Sequence, residues 1–182
     1  MHAGFMPTRA TQRIRQRPST PKHSPWVVAA NSPIHGRGVY ARTTIPEGTR
    51  IIEYAGERIS SAEAERRETL RLARQRRGGD ASVYVFFVSP RRAIDGRHRR
   101  NVARWINHAC APNCRSEISR GRIWIVAQRD IPAGAELTFD YGFNFREGLQ
   151  HPCRCGAPNC AGYIISAEQR WRLRKRRAAR AG

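Results

Sequence analysis

From about Trp26 to Ile165 the chain alternates short apolar runs with Gly- and Pro-containing turns. The runs are brief and rich in β-branched and aromatic residues, a pattern that fits strands better than helices. Five stretches predict strands: Gly38–Ala41, Arg50–Tyr54, Val83–Val88, Ile123–Ala127 and Glu136–Phe139. Ile45-Pro46-Glu47-Gly48 and Ile131-Pro132-Ala133-Gly134 are similar turns, each with Pro second and Gly fourth, and each feeds a strand. Helical signals are few. Ser60 with Glu63 suggests a capping box that opens a charged helix through Gln75, ended by Gly78-Gly79. Asn101–Asn107 predicts a short helix, and Ser166 with Gln169 a second cap for a basic helix through Arg177. Order is expected to begin at Trp26, because residues 1–25 lack apolar periodicity and predict disorder.

Composition changes this picture in three ways. A length of 182 residues suits one sizeable core with tails. No apolar run approaches the roughly 18 residues of a membrane span, and the N-terminus lacks the apolar stretch of a secretory signal. The five cysteines, three of them within eight positions, suit metal-bound thiolates in a reducing compartment better than disulfides. The expectation is an intracellular monomer with no membrane contact. Net charge is +20; residues 1–25 carry five basic and no acidic side chains, residues 166–182 seven basic and one acidic. Such tails favour polyanions by counterion release, so nucleic acid is a candidate partner.

Three segments carry the chemistry: Arg104-Trp105-Ile106-Asn107-His108-Ala109-Cys110-Ala111-Pro112-Asn113-Cys114, Glu136-Leu137-Thr138-Phe139-Asp140-Tyr141-Gly142, and Cys153-Arg154-Cys155-Gly156-Ala157-Pro158-Asn159-Cys160. The C-x-C-x4-C spacing offers three thiolates, and tetrahedral zinc requires a fourth ligand. Cys110, Cys114 and several histidines, His151 nearest in sequence, are available. Ile34-His35-Gly36-Arg37-Gly38-Val39 is a Gly-x-Gly turn into a strand. It lacks the third glycine and following helix of a dinucleotide fingerprint, which excludes a Rossmann site. Its glycines instead permit close approach of backbone to a ligand.

These segments resemble the signature motifs of the SET-domain protein lysine methyltransferases. The glycine turn resembles that family's opening motif, Glu53-Tyr54-Ala55-Gly56-Glu57 its second-strand motif, and the C-x-C-x4-C tail its post-SET zinc element. The resemblance implies a mainly β, β-clip-like SET fold of small curved sheets with a knot-like crossing and few short helices. It divides the chain into a basic tail (1–25), a SET catalytic domain (26–145), a post-SET zinc-binding segment (146–165) and a basic helix or tail (166–182). It implies S-adenosylmethionine bound by Gly36, Arg37, Gly38, Tyr84, Arg104, Asn107, His108 and Tyr141. Tyr54, Phe139 and Tyr141 then serve catalysis, and Cys110, Cys153, Cys155 and Cys160 hold Zn2+, leaving Cys114 a bystander. Ala109 departs from the serine usual at its place.

The implied reaction is methyl transfer to a lysine of a histone or another nucleic-acid-associated protein. Phenylalanine at 139 implies room for di- or trimethylation. The setting is nuclear or chromatin-associated if the source is eukaryotic or the protein is delivered to a host, and cytoplasmic if it is bacterial. The alternative is a catalytically inactive chromatin- or nucleic-acid-binding module that keeps the fold. A strongly basic enzyme needs acidic side chains near a basic substrate, and Glu53, Glu57, Asp95 and Glu117 are the candidates.

Overall fold

The computed structural model describes residues 24–78, 82–173 and 175–176; the expectations for residues 1–23 and for the end of the basic helix lie outside them. β1 (Val27–Asn31) pairs antiparallel with β2 (Arg37–Ala41), and β3 (Arg50–Glu53) follows. β4 (Glu57–Ser60) leads into helix α1 (Ser61–Gln75). β5 (Val85–Ser89) and β6 (Arg92–Asp95) come next, with β6 central between β4 and β5 in an antiparallel sheet. A 3-10 turn over Val102–Trp105 precedes β7 (Asn107–His108). β8 (Cys114–Ser119) and β9 (Arg122–Ala127) form a hairpin, and β9 also pairs with β3. β10 (Thr138–Phe139) pairs parallel with β7, and the four-residue α2 (Phe145–Gly148) follows. Small sheets with few short helices are the architecture expected.

The core explains which strands sit in the middle. Ile123, Ile125, Val126 and Ala127 of β9 are buried, as a central strand requires, and they join Val39, Ile45, Ile51, Ile106 and Leu137. The two similar turns face each other. Ile45 and Ile131 exchange both backbone hydrogen bonds at 2.9 Å, and Gly48 and Gly134 follow with φ of 78° and 79°, values open to glycine without strain.

The expected capping box forms by half. Ser60 Oγ accepts from Glu63 N at 3.2 Å, but the Glu63 carboxylate turns to Arg66 and Arg67 instead of the Ser60 amide. Two helix expectations are corrected. Asn101–Asn107 is a 3-10 turn followed by extended backbone, because β10 captures Asn107 and His108 as a strand. Ser166 makes no side-chain cap, since the Gln169 amide oxygen accepts from Phe145 N at 2.9 Å. A 3-10 turn (Ala167–Gln169) results, with helical backbone at 171–173 and 175–176. Among the described residues no helix is long and apolar enough to cross a membrane.

Candidate active site and metal centre

The turn between β1 and β2 is closed by Ser32 N donating to Gly36 O at 2.9 Å, with Gly36 at φ 48°. Asn107 grips this turn from β7. Its buried amide lies 3.0 Å from Ser32 Oγ, 3.3 Å from His35 O, 3.0 Å from Arg37 O and 2.8 Å from Glu136 Oε1. Glu136 accepts from Ser32 Oγ at 2.8 Å and from the Tyr40 hydroxyl at 3.2 Å. A β-carbon at Gly38 would collide with the Glu136 carboxylate, so this glycine makes room for the clamp rather than for a ligand. Ser32 and Glu136 had no sequence-level role. The signal was there for Glu136, a lone carboxylate within an otherwise apolar strand run.

A cavity of about 530 Å³ opens beside the turn. Gly36, Arg37, Tyr84, Arg104, Asn107, His108 and Tyr141 all line it; Gly38 does not. The Arg104 guanidinium lies 4.1 Å from the Trp105 ring centre and 5.7 Å from that of Tyr84. Its Nε is buried and has no hydrogen-bond partner among the described residues. Stacking on Trp105 seals that atom from solvent, while Arg104 as a residue brings positive charge to the cavity lining.

A second cavity of about 640 Å³ shares Val83, Tyr141 and Phe143 with the first. Glu65, Glu68, Asp140 and Glu147 line it, with no Lys, Arg or His among its described lining residues. Two of these acids are paired from outside the lining, Glu68 with Arg71 and Asp140 with Arg170, so the acidic excess is modest but runs against a chain of net charge +20. Burial first, and then the neighbouring Glu68, raise the Glu147 pKa above the ordinary carboxylate value. The acids expected from sequence are engaged elsewhere: Glu53 with Arg122, Glu57 and Asp95 with Arg67, and Glu117 with Arg115.

Tyr141 thus stands in the wall between the cavities. Its hydroxyl donates to Ile106 O at 3.0 Å, its amide to His108 Nδ1 at 3.3 Å, and burial pushes its pKa above the phenol value. Burial also holds His108 down at about 4, so the imidazole is neutral beside Asp140 at 3.8 Å. Phe139 stacks on Phe86 at 6.3 Å and meets Tyr141 at 5.0 Å. Tyr54 sits one ring further back, 5.7 Å from Phe86, with its hydroxyl donating to Tyr84 O at 2.9 Å. Neither Tyr54 nor Phe139 lines a cavity; they back the residues that do.

The sulfurs of Cys110, Cys153, Cys155 and Cys160 lie within 4.8 Å of one another. Cys110 and Cys153 are 3.9 Å apart, close to the edge of about 3.8 Å that a tetrahedron with metal–sulfur bonds of about 2.3 Å would have. The donor set therefore fits a thiophilic divalent ion. Amides support it: Ala161 N donates to Cys110 Sγ at 3.4 Å and Cys110 N to Cys155 Sγ at 3.4 Å. Burial raises the Cys155 thiol, but the Cys110 and Ala157 amides and the neighbouring thiols outweigh it, leaving its pKa at about 7. Cys114 stands apart in β8, buried and bonded to Asn113 Oδ1 at 3.5 Å.

Comparison with known proteins places this geometry. The family model described as "SET domain" matches residues 36–142. "Histone-lysine N-methyltransferase, H3 lysine-4 specific" of Saccharomyces cerevisiae is 44% identical over 144 residues, 76% of this chain and 13% of the yeast protein. The counterpart of the same name in Yarrowia lipolytica is 43% identical over 140 residues, 74% of this chain and 12% of that protein. "Histone-lysine N-methyltransferase 2D" of Homo sapiens is 40% identical over 144 residues, 76% of this chain and 2% of the human protein. The chain spans a small part of each relative's length.

Proposed function

This chain belongs to the SET-domain family, and from that premise we propose that it is an S-adenosylmethionine-dependent protein-lysine N-methyltransferase. One observation carries the reading: Tyr141 is shared by two cavities of opposite character. The first suits the cofactor. Gly36, Arg37, Asn107 and His108 bound it, and the cationic Arg104 in its lining suits the cofactor's carboxylate. The acidic cavity suits a basic protein segment carrying the target lysine, consistent with a histone or another nucleic-acid-associated substrate.

S-adenosylmethionine supplies an electrophilic methyl group when bound. The chain supplies alignment, which dominates the barrier of such an in-line transfer. A lysine brought to Tyr141 from the acidic cavity loses water, and its pKa falls from the reference value of about 10.4 toward neutrality. Tyr141 is not the base: burial keeps its hydroxyl protonated. That hydroxyl donates to Ile106 O, so its oxygen lone pairs remain to accept an N–H and aim the amine. Phe139 puts no hydroxyl behind the amine, which leaves room for a second and third methyl group. Tyr54 steadies Tyr84 through its carbonyl.

Zn2+ is the ion proposed for Cys110, Cys153, Cys155 and Cys160, where it would fold residues 146–165 onto a catalytic domain of residues 26–145. The chain then acts as a monomer in the nucleus of a eukaryotic source, its basic ends adding affinity for nucleic acid.

The test is methylation of histone proteins by the purified chain with labelled cofactor, read by mass spectrometry. Tyr141→Phe should lower kcat by roughly 10²-fold, the scale of losing alignment at the reacting centre. A Tyr141→Phe variant with undiminished kcat would refute the assignment.

A further inference from the structure

The residues after the cysteine cluster turn back onto the catalytic segment and bind it along its length. Ser166 N donates to Phe143 O at 2.9 Å, Ala167 N to Asp140 Oδ2 at 2.9 Å, and Phe145 N to the Gln169 side chain at 2.9 Å. Arg170 closes this seam. Its Nε donates to Ile165 O at 2.9 Å, Nη1 to Cys110 O at 2.7 Å and Nη2 to Asp140 Oδ2 at 2.9 Å. The side chain is only 16% exposed, and the Asp140 side chain 23%.

These partners belong to three separate segments. Cys110 brings one sulfur to the cluster, and its carbonyl takes the guanidinium. Asp140 precedes Tyr141, and its other oxygen accepts from Gly142 N at 2.9 Å, so its carboxylate fixes the backbone just beyond the tyrosine. The Tyr141 amide is itself held by His108. One planar, permanently charged fork therefore ties the cluster, through Asp140, to the peptide unit that follows Tyr141. Lysine, a single point charge, cannot serve three acceptors in this geometry. Arg170 lies outside residues 36–142, the part that matches the family model.

We infer that Arg170 is a positioning residue for methyl transfer, holding Tyr141 in register with the cysteine cluster without touching the reacting atoms. The inference rests on the reading of Tyr141 as the catalytic tyrosine. Loss of the fork lets residues 140–142 drift, and displacements on the order of 1 Å at a reacting centre cost about 10²-fold in rate.

The experiment uses the full, metal-loaded chain with Arg170→Ala and Arg170→Lys. Its readouts are kcat and KM with a histone peptide, metal release to a chromophoric chelator, amide exchange at residues 140–142, and rescue by added guanidinium ion. Expected for Arg170→Ala is a kcat lower by about 10- to 100-fold. Peptide KM changes by less than kcat does, metal release and amide exchange quicken, and guanidinium partly restores kcat. Arg170→Lys should fall between. An Arg170→Ala kcat within about twofold of the parent, or a loss that only tracks the folded fraction by circular dichroism, overturns the inference. A parent chain that transfers no methyl group refutes the reading of Tyr141 instead. Metal release and amide exchange at residues 140–142 then decide the clasp alone: unchanged rates in Arg170→Ala overturn it.

Discussion

The sheets from β1 to β10 and the segment from α2 onward are held by different forces. In the sheets, side chains such as Val39, Ile45, Ile123, Ile125 and Leu137 are 0% exposed. Each contributes roughly 1.5–3 kcal/mol by leaving water. Beyond residue 145, Ile165 and Leu173 are the buried apolar residues among those described, and three of the four cluster cysteines stand there half-buried. That segment has no core of its own. It is organised around the cysteine cluster and by bonds to residues 140–145, yet it supplies Cys153 and His151 to one cavity and Glu147 to the other. The site thus joins a wall made by hydrophobic burial to a wall built around a cysteine cluster.

Removing the metal breaks the comparison most severely. Structural zinc contributes about 10–16 kcal/mol of apparent binding energy, so chelation under reducing conditions should abolish methyl transfer. Hydrogen exchange should rise at residues 146–165 while β9 stays protected; equal exchange with and without metal would show that the segment needs no coordination. Next in size is Phe139→Tyr on the buried side. It should shift the product toward monomethyl-lysine with the fold intact, and mass spectrometry showing an unchanged methyl distribution would contradict it.

Glu147→Gln probes the coordinated side. It should raise KM for a basic peptide by about two- to fivefold with kcat preserved, the worth of one partly exposed charge pair. Because the Glu147 pKa is raised, the parent should lose this advantage at a higher pH than an ordinary carboxylate would as the solution is acidified. The Gln variant should show no such pH step in KM. The smallest functional effect belongs to Cys114, whose thiol burial pushes up to about 12. In metal-free protein a disulfide reagent should label four thiols quickly and Cys114 only on unfolding. Cys114→Ala should leave turnover per folded molecule unchanged.

Much of the fold was legible where local pattern and long-range structure agree. The runs at Ile123–Ala127 and Arg50–Tyr54 became β9 and β3 because apolar side chains in central strands are conspicuous. β1, β4, β6 and β8 were missed and β7 was read as helix: Val27–Asn31 fully buries only Val27, Glu57-Arg58-Ile59-Ser60 only Ile59, and arginines and carboxylates mask the alternation in β6 and β8. The four cluster cysteines were legible from spacing and family resemblance, and the structure brings them together. The acidic cavity was not, because Glu68 of α1 and Glu147 of α2 are 79 positions apart in sequence and meet only in the folded chain. No sequence window contains Glu65, Glu68 and Glu147 together. Arg170 was hidden for the same reason, in a stretch whose basic composition pointed to solvent or nucleic acid.

The parallel pairing of β7 with β10 has a kinetic consequence. Asn107 pairs with Thr138 and His108 with Phe139 across a stretch of chain that contains the whole β8–β9 hairpin. Two residues on each side then offset the entropy of a long loop, a poor nucleus for folding. The pair should therefore assemble late, after the sheets around it. A molecule arrested just short of that step would have nearly all its strands and no working site, so far-ultraviolet dichroism would count it as native and only turnover would reveal it.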